Sequence, residues 1–255
     1  MQPRSLIINA DDCNLTPGVT RGILRSHDHG ILTSTTLLMN LPLSEKTVKE
    51  LKKRSKLGLG VHLNVTLGKP LSSSSKVRSL LKAEGRFRRP TDYFQKMPSV
   101  NEVTREYEAQ VELFQKRFHQ KPDHLDTHHH LHDFPVFFTA LSKVARKWKL
   151  PIRRSRVFQL AENETQIKGL KTTDFLFGNL EARFIWEKNP FLGIAENLPD
   201  GTSEIGCHPG YSDAELRSTS SLTDVREKEL KLFSDPSLRA QLTALGIQLI
   251  RFSEI

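Results

Sequence analysis

Six short apolar runs that end in or run into polar residues recur along the chain: LIINADD (6–12), ILTSTTLLMN (31–40), LGLGVHLNV (57–65), HLDTHHH (124–130), EIGCHPG (204–210) and IQLIRF (247–252). Their length and their bounding residues read as strands. Between several of them lie helical patterns. In the first, Thr16 is the expected N-cap, Pro17 the first helical residue and Gly30 the stop, with Ile23 and Leu24 facing inward. A second pattern covers 101–118, with Val103, Tyr107, Val111, Phe114 and Phe118 on one face. A third follows Asp133 as its expected cap and carries Phe137, Leu141, Val144 and Trp148. A fourth begins near Thr223 and carries Val225, Leu230 and Phe233. Strand, helix, strand in repeated alternation predicts an α/β fold with a mostly parallel sheet, open or closed into a barrel, whose site lies at the strands' C-terminal ends.

The connection 66–100 is too long for an ordinary loop and reads as an insertion or lid over that end. Residues 153–203 are ambiguous, with strands conceivable near 152–157 and 173–178. The 255 residues are read as one domain, 1–255.

Lys and Arg outnumber Asp and Glu by 38 to 29, a formal charge of +9 that favours anionic partners in general. The basic residues are spread over helical faces without interleaved aromatics, so a nucleic-acid partner is not expected. The N-terminus has only a three-residue apolar run before it turns acidic, which predicts neither a signal peptide nor a membrane partner and suggests a cytoplasmic protein. Cys13 and Cys207 lack the spacing of a structural zinc site and are expected to pack as small apolar groups rather than to pair.

The polar strand ends carry the chemistry. Asp11, Asp12, His62, His128 and His208 each sit at the C-terminal end of an expected strand, so the fold would gather them at one rim. Alternation puts His62 and Asn64 opposite Val61, Leu63 and Val65. It likewise puts His124, Asp126, His128 and His130 on one face of their strand, with His129 on the other and His132 in the turn beyond. A carboxylate and two imidazoles suit a divalent cation with open positions. Adjacent aspartates on a strand cannot aim at one point except where it ends, which divides their labour: one holds the cation and the other remains free as a general base. His208, held in the tight turn GCHPG, could hand a proton to a leaving nitrogen. Asp126 could orient an imidazole from behind, with Asn64 and His130 as further supporting or substrate-facing groups.

The segments NADDCNLTPGVTRGI (9–23), TSTTLLMN (33–40), GVHLNVTLGKPL (60–71), KVRSLLKAEGRF (76–87), KPDHLDTHHHLH (121–132) and IGCHPGY (205–211) together resemble the YdjC-like family of carbohydrate deacetylases. The resemblance implies a distorted (β/α) barrel related to the polysaccharide deacetylase (NodB-type) fold. It also implies removal of N-acetyl groups from acetylated amino sugars such as chitooligosaccharides, assisted by one divalent metal cation. By that likeness Asp12, His62 and His128 match the metal ligands, Asp11 the base and His208 the acid. Magnesium and zinc both remain open as the cation, and a homodimer is neither required nor excluded. Where the family usually has Phe-Gly after ADD, this chain has Cys13-Asn14, which implies a smaller, softer side chain beside the metal. A metal-dependent phosphoesterase and a catalytically silent sugar-binding protein are the alternative readings.

Overall fold

A computed structural model describes residues 3–155, 168–178 and 186–255. In chain order the elements are β1 (Arg4–Cys13), α1 (Pro17–His29), β2 (Ser34–Leu37), α2 (Glu45–Lys52), β3 (Gly58–Leu63), α3 (Pro90–Gln95), α4 (Val100–Phe118), β4 (Leu125–Thr127), α5 (Pro135–Trp148), β5 (Phe175–Gly178), α6 (Lys188–Glu196), β6 (Gly201–Cys207), α7 (Ala214–Thr219), α8 (Asp224–Phe233), α9 (Ser237–Ala244) and β7 (Ile247–Leu249). The first helix has the expected ends: the Thr16 side chain accepts from Val19 N–H, Pro17 opens the helix and Gly30 closes it. The third does not. Phe134 is its N-cap, and the Asp133 carboxylate instead accepts from the Ser155 hydroxyl at 2.8 Å.

All strand pairs are parallel, in the order β4-β3-β2-β1-β6-β5, and β7 pairs with the start of β1. The sheet curls back on itself. Ile152 bridges Leu125 of β4 on one side and Thr172, just before β5, on the other. This single-residue link joins the two ends of the sheet into the expected distorted barrel, and the strand expected near 173–178 is β5. The strand expected near 152–157 is reduced to the bridge at Ile152, and residues 156–157 lie outside the described ones.

Alternation along the strands sorts the side chains. Leu6, Ile8 and Ala10 of β1 and Val61 and Leu63 of β3 join the main core, and the predicted stripe of α4 is buried over its whole length. Asn9, Asp11, His62, Asp126 and Glu204 face the other way, inside the barrel, where all are buried. Segment 66–100 is not a loose loop. Val77, Leu80, Phe87 and Tyr93 are buried, and the Tyr93 hydroxyl donates to the Val65 carbonyl at 2.7 Å. Among the described residues no helix is long and apolar enough to cross a membrane.

Candidate active site

A cavity of about 290 Å³ opens at the C-terminal ends of the strands and is lined by Asp11, Asp12, His62, His128, His130 and His208 among others. Both aspartates reach it because β1 does not stay regular. Its register against β2 slips between Ala10 and Cys13, and Asp12 takes a left-handed backbone with φ 65°. A bulge of this kind re-aims one side chain relative to its neighbour. The division between the aspartates thus comes from an irregularity inside the strand rather than from its end.

Asp12 is split between two environments. Its Oδ2 accepts from Arg226 Nη2 at 2.6 Å. Its Oδ1 is buried without a hydrogen-bond partner, with His62 Nε2 at 3.4 Å and His128 Nε2 at 3.8 Å as its facing imidazole nitrogens. Burial alone would push this carboxyl up, but Arg226 and the two histidines outweigh it and hold Asp12 well below the usual range.

Both imidazoles are fixed from behind. His62 Nδ1 lies 2.7 Å from Asp126 Oδ1. Burial disfavours a cationic His62, yet Asp126, Asp12 and Asp11 override it and raise the ring to about 10. His128 Nδ1 meets Thr66 Oγ1 at 2.7 Å and Asn64 Oδ1 at 3.2 Å. The same Asn64 oxygen accepts from the Thr66 and Leu67 N–H groups, so it shapes the turn after β3 while holding His128. Burial keeps His128 neutral, well below the ordinary histidine value.

Arg153, in the segment that closes the barrel, was not singled out by sequence. Its guanidinium is buried and touches three strands: Asp11 through both oxygens at 2.7 Å, Asp126 at 2.9 Å and Glu204 at 2.7 Å. Burial pushes Asp11 up, but the Arg153 clamp outweighs it and holds the carboxylate ionised far into acid. His208 Nε2 stands 3.9 Å from Asp11 Oδ2, and both line the cavity. Burial lowers His208 below its ordinary value, against the pull of Asp11 and Asp12.

Helix α8 supplies two more groups that sequence reasoning missed. Arg226 holds Asp12, and Glu229, one turn on, accepts the His208 backbone N–H at 2.5 Å. A three-residue spacing puts both on one helix face, so one element grips both the bulged aspartate and the histidine turn. Burial raises the Glu229 carboxyl to about 7, against the opposing His208 N–H and Arg226.

Residues 5–244 match the family described as YdjC-like protein. The chain belongs to that family. A carbohydrate deacetylase from Geobacillus stearothermophilus is 35% identical over 253 residues, covering 99% of this chain and 98% of that protein. A chitooligosaccharide deacetylase from Proteus mirabilis is 31% identical and is matched over 98% of both chains. Among solved structures, an Enterococcus faecalis V583 protein, described as a proposed cellobiose-phosphate cleavage protein, superposes with a TM-score of 0.89 at 29% identity, over 99% of this chain and 98% of that one. A family 4 carbohydrate esterase from Streptomyces lividans, in complex with acetate, reaches 0.53 at 9% identity over 98% and 93%, a likeness of fold alone.

Set beside the usual pattern of the YdjC-like family, Cys13-Asn14 has a local explanation. Asn14 sits at φ 73°, a region open to glycine and, next best, to asparagine. Its side-chain amide donates to the Leu38 and Leu41 carbonyls. Cys13 still belongs to β1 and is fully buried in the core, where burial pushes its thiol up to about 12. It is thus a packing residue, not a soft side chain lining the cavity. Cys207 is also free and buried, as expected for a packing residue.

The histidine run departs from the alternation expected of it. β4 ends at Thr127, and 128–133 form a 3-10 turn in which His129 and His130 have φ of 58° and 49°. Strand parity therefore lapses after Thr127. His129 reaches the cavity, with Nδ1 2.9 Å from Thr66 Oγ1. His124 does not: it is buried, stacked on Phe252 with ring centroids 3.8 Å apart, in room left by Gly60.

Proposed function

We propose that this chain is a divalent-metal-dependent hydrolase that removes N-acetyl groups from acetylated amino sugars such as chitooligosaccharides. The observation that carries the reading is the orphaned Asp12 Oδ1, buried and faced by two imidazole nitrogens whose outer sides are held by Asp126, Thr66 and Asn64. The relatives named for carbohydrate and chitooligosaccharide deacetylation support the same chemistry.

The residues fit a cation. Donors sharing a tetrahedral ion stand roughly 3 to 3.5 Å apart, and the Asp12 Oδ1 contacts of 3.4 and 3.8 Å are close to that. Asp11, His62 and Asp126 also bring donor atoms within 4.8 Å of one another. That group is already neutralised: Arg153 takes both Asp11 oxygens and one of Asp126, and His62 Nδ1 takes the other. We therefore assign Asp12, His62 and His128 as the ligands and Asp11, Asp126 and Arg153 as their charge-balanced support.

When bound, a divalent cation lowers the pKa of a coordinated water and polarises a carbonyl oxygen. The protein supplies the proton traffic. Asp11, kept ionised by Arg153, accepts a proton from the attacking water as its oxygen bonds to the acetyl carbon. His208, which also lines the cavity, donates a proton to the amide nitrogen as the C–N bond breaks, releasing acetate and the free amino sugar. His130, also among the cavity's lining residues, is left to contact substrate.

The test is acetate release from N-acetylglucosamine oligomers, before and after chelation and on return of zinc, magnesium or cobalt, alongside phosphate release from an aryl phosphate. Acetate that disappears with chelation and returns with metal is expected. Phosphate release without acetate would make the chain a phosphoesterase, and binding without turnover would make it a sugar-binding protein.

A further inference from the structure

The turn that carries His208 leaves β6 and is held between two helices. On one side stands α8, where Glu229 accepts the His208 N–H at 2.5 Å and the Arg226 carbonyl accepts the Gly210 N–H at 3.1 Å. On the other side stands α1. The Tyr211 N–H donates to the Gly18 carbonyl at 3.2 Å, and the Gly18 N–H donates back to Asp213 Oδ2 at 2.6 Å. Helix α1 is fastened at its far end as well, because the Ile31 N–H just beyond it donates to the Phe233 carbonyl of α8 at 3.2 Å.

Gly18 and Gly22 are four residues apart and so share one face of α1. Glycine inside a helix weakens it relative to alanine, and the backbone at Gly22 is ordinary helix, so its own conformation does not call for glycine. The reason lies across the interface. A Cβ at Gly22 would stand 2.5 Å from Gly210 Cα and 3.0 Å from its N and C atoms. Carbon atoms in contact rest about 3.5–4.0 Å apart, so an alanine there drives helix and turn apart by about 1 Å. The obstacle is backbone, which no change of rotamer relieves. Between Gly210 and His208 lies Pro209, whose ring fixes φ and passes the displacement on to the imidazole. Neither Gly22 nor Asp213 lines the catalytic cavity.

We propose that Gly22 and Asp213 are positioning residues for His208: the bare face of α1 at Gly22 seats the turn, the bond from Gly18 to Asp213 fastens it there, and together they fix the imidazole beside Asp11. The inference rests on the function proposed above, in which His208 donates the proton, and adds that α1 governs that step without touching substrate or metal.

The test uses the zinc-loaded whole protein and three variants. Gly22→Ala pushes on the turn. Asp213→Asn loosens the seat, since it keeps one oxygen to cap α7 through Leu216 N–H but presents an amide to Gly18. Gly193→Ala is the control, a glycine of α6 whose Cβ would meet nothing within 4 Å. The imidazole signals of His208 in proton NMR, assigned with His208→Gln, should shift in the first two variants and stay in place in the control. In acetate assays kcat should fall by about 100-fold in Gly22→Ala, the cost of a 1 Å misplacement, and less steeply in Asp213→Asn. KM and zinc affinity should stay within about two-fold of wild type, as for an interaction expressed only in the transition state. With an active wild type, His208 signals or a kcat left unchanged in Gly22→Ala overturn the proposal, and Asp213→Asn decides in the same way if Gly22→Ala does not fold. A kcat loss matched by an equal loss of zinc affinity also overturns it, because the effect then runs through Arg226 and Asp12. Shifted His208 signals with no acetate from any sugar in the wild type overturn the deacetylase reading and keep the seat.

Discussion

Asp126 Oδ1 accepts the His62 Nδ1 proton across 2.7 Å, which leaves His62 Nε2 as the nitrogen turned toward Asp12. The other Asp126 oxygen is held by Thr36 at 3.1 Å and Arg153 at 2.9 Å, so the carboxylate is fixed at both ends. Asp126→Asn keeps the shape but not the charge that orients the ring. Metal affinity should fall by roughly 10- to 100-fold, with an unchanged circular dichroism spectrum. Unchanged affinity would make Asp126 a structural residue only.

Arg153 pairs with three buried carboxylates, and breaking one side of such a network is strongly destabilising. Arg153→Met should lower unfolding free energy by about 3–5 kcal/mol in urea titrations. Arg153→Lys, which keeps the charge but not the bidentate grip, should fold better and still show a reduced kcat. A kcat that is unaffected by Lys would mean that Asp11 does not need its clamp.

Arg226 fixes Asp12 through Oδ2 and so leaves Oδ1 free. Arg226→Gln should weaken metal binding by about 10-fold, with partial recovery in Arg226→Lys. A lowered unfolding free energy with unchanged metal affinity would assign Arg226 to packing alone.

Glu229 titrates at about 7 when folded, above its ordinary 4.5, so the folded protein holds a proton there that the unfolded chain gives up. Its contribution to stability is full below about 4.5 and is lost as pH rises through about 7. Between pH 5 and pH 8 the wild type should therefore lose on the order of 3 kcal/mol relative to Glu229→Gln, read from denaturant midpoints at each pH. Parallel pH curves would refute the assignment.

Much of this was legible in the sequence because apolar runs ending in Asp or His mark strand ends, and a parallel α/β fold brings strand ends together. Asp11, Asp12, His62, His128 and His208 were placed at one rim in that way, and all five line the cavity. Arg153, Arg226 and Glu229 were not, because each acts through long-range pairing that no local pattern announces. Arg153 follows a single bridging residue, and α8 reads as an ordinary amphipathic helix. The bulge at Asp12 and the 3-10 turn after Thr127 were also hidden, since both need left-handed backbone at non-glycine residues. Strand parity therefore misplaced His124 and His129, and Cys13 stayed in a strand that was expected to have ended.

The most direct test of the account is the position of the cation in crystals of the protein grown with zinc and measured at the zinc absorption edge. The account predicts one anomalous peak about 2.1 Å from Asp12 Oδ1, His62 Nε2 and His128 Nε2. A peak among Asp11, His62 and Asp126, or none at saturating zinc, would contradict it.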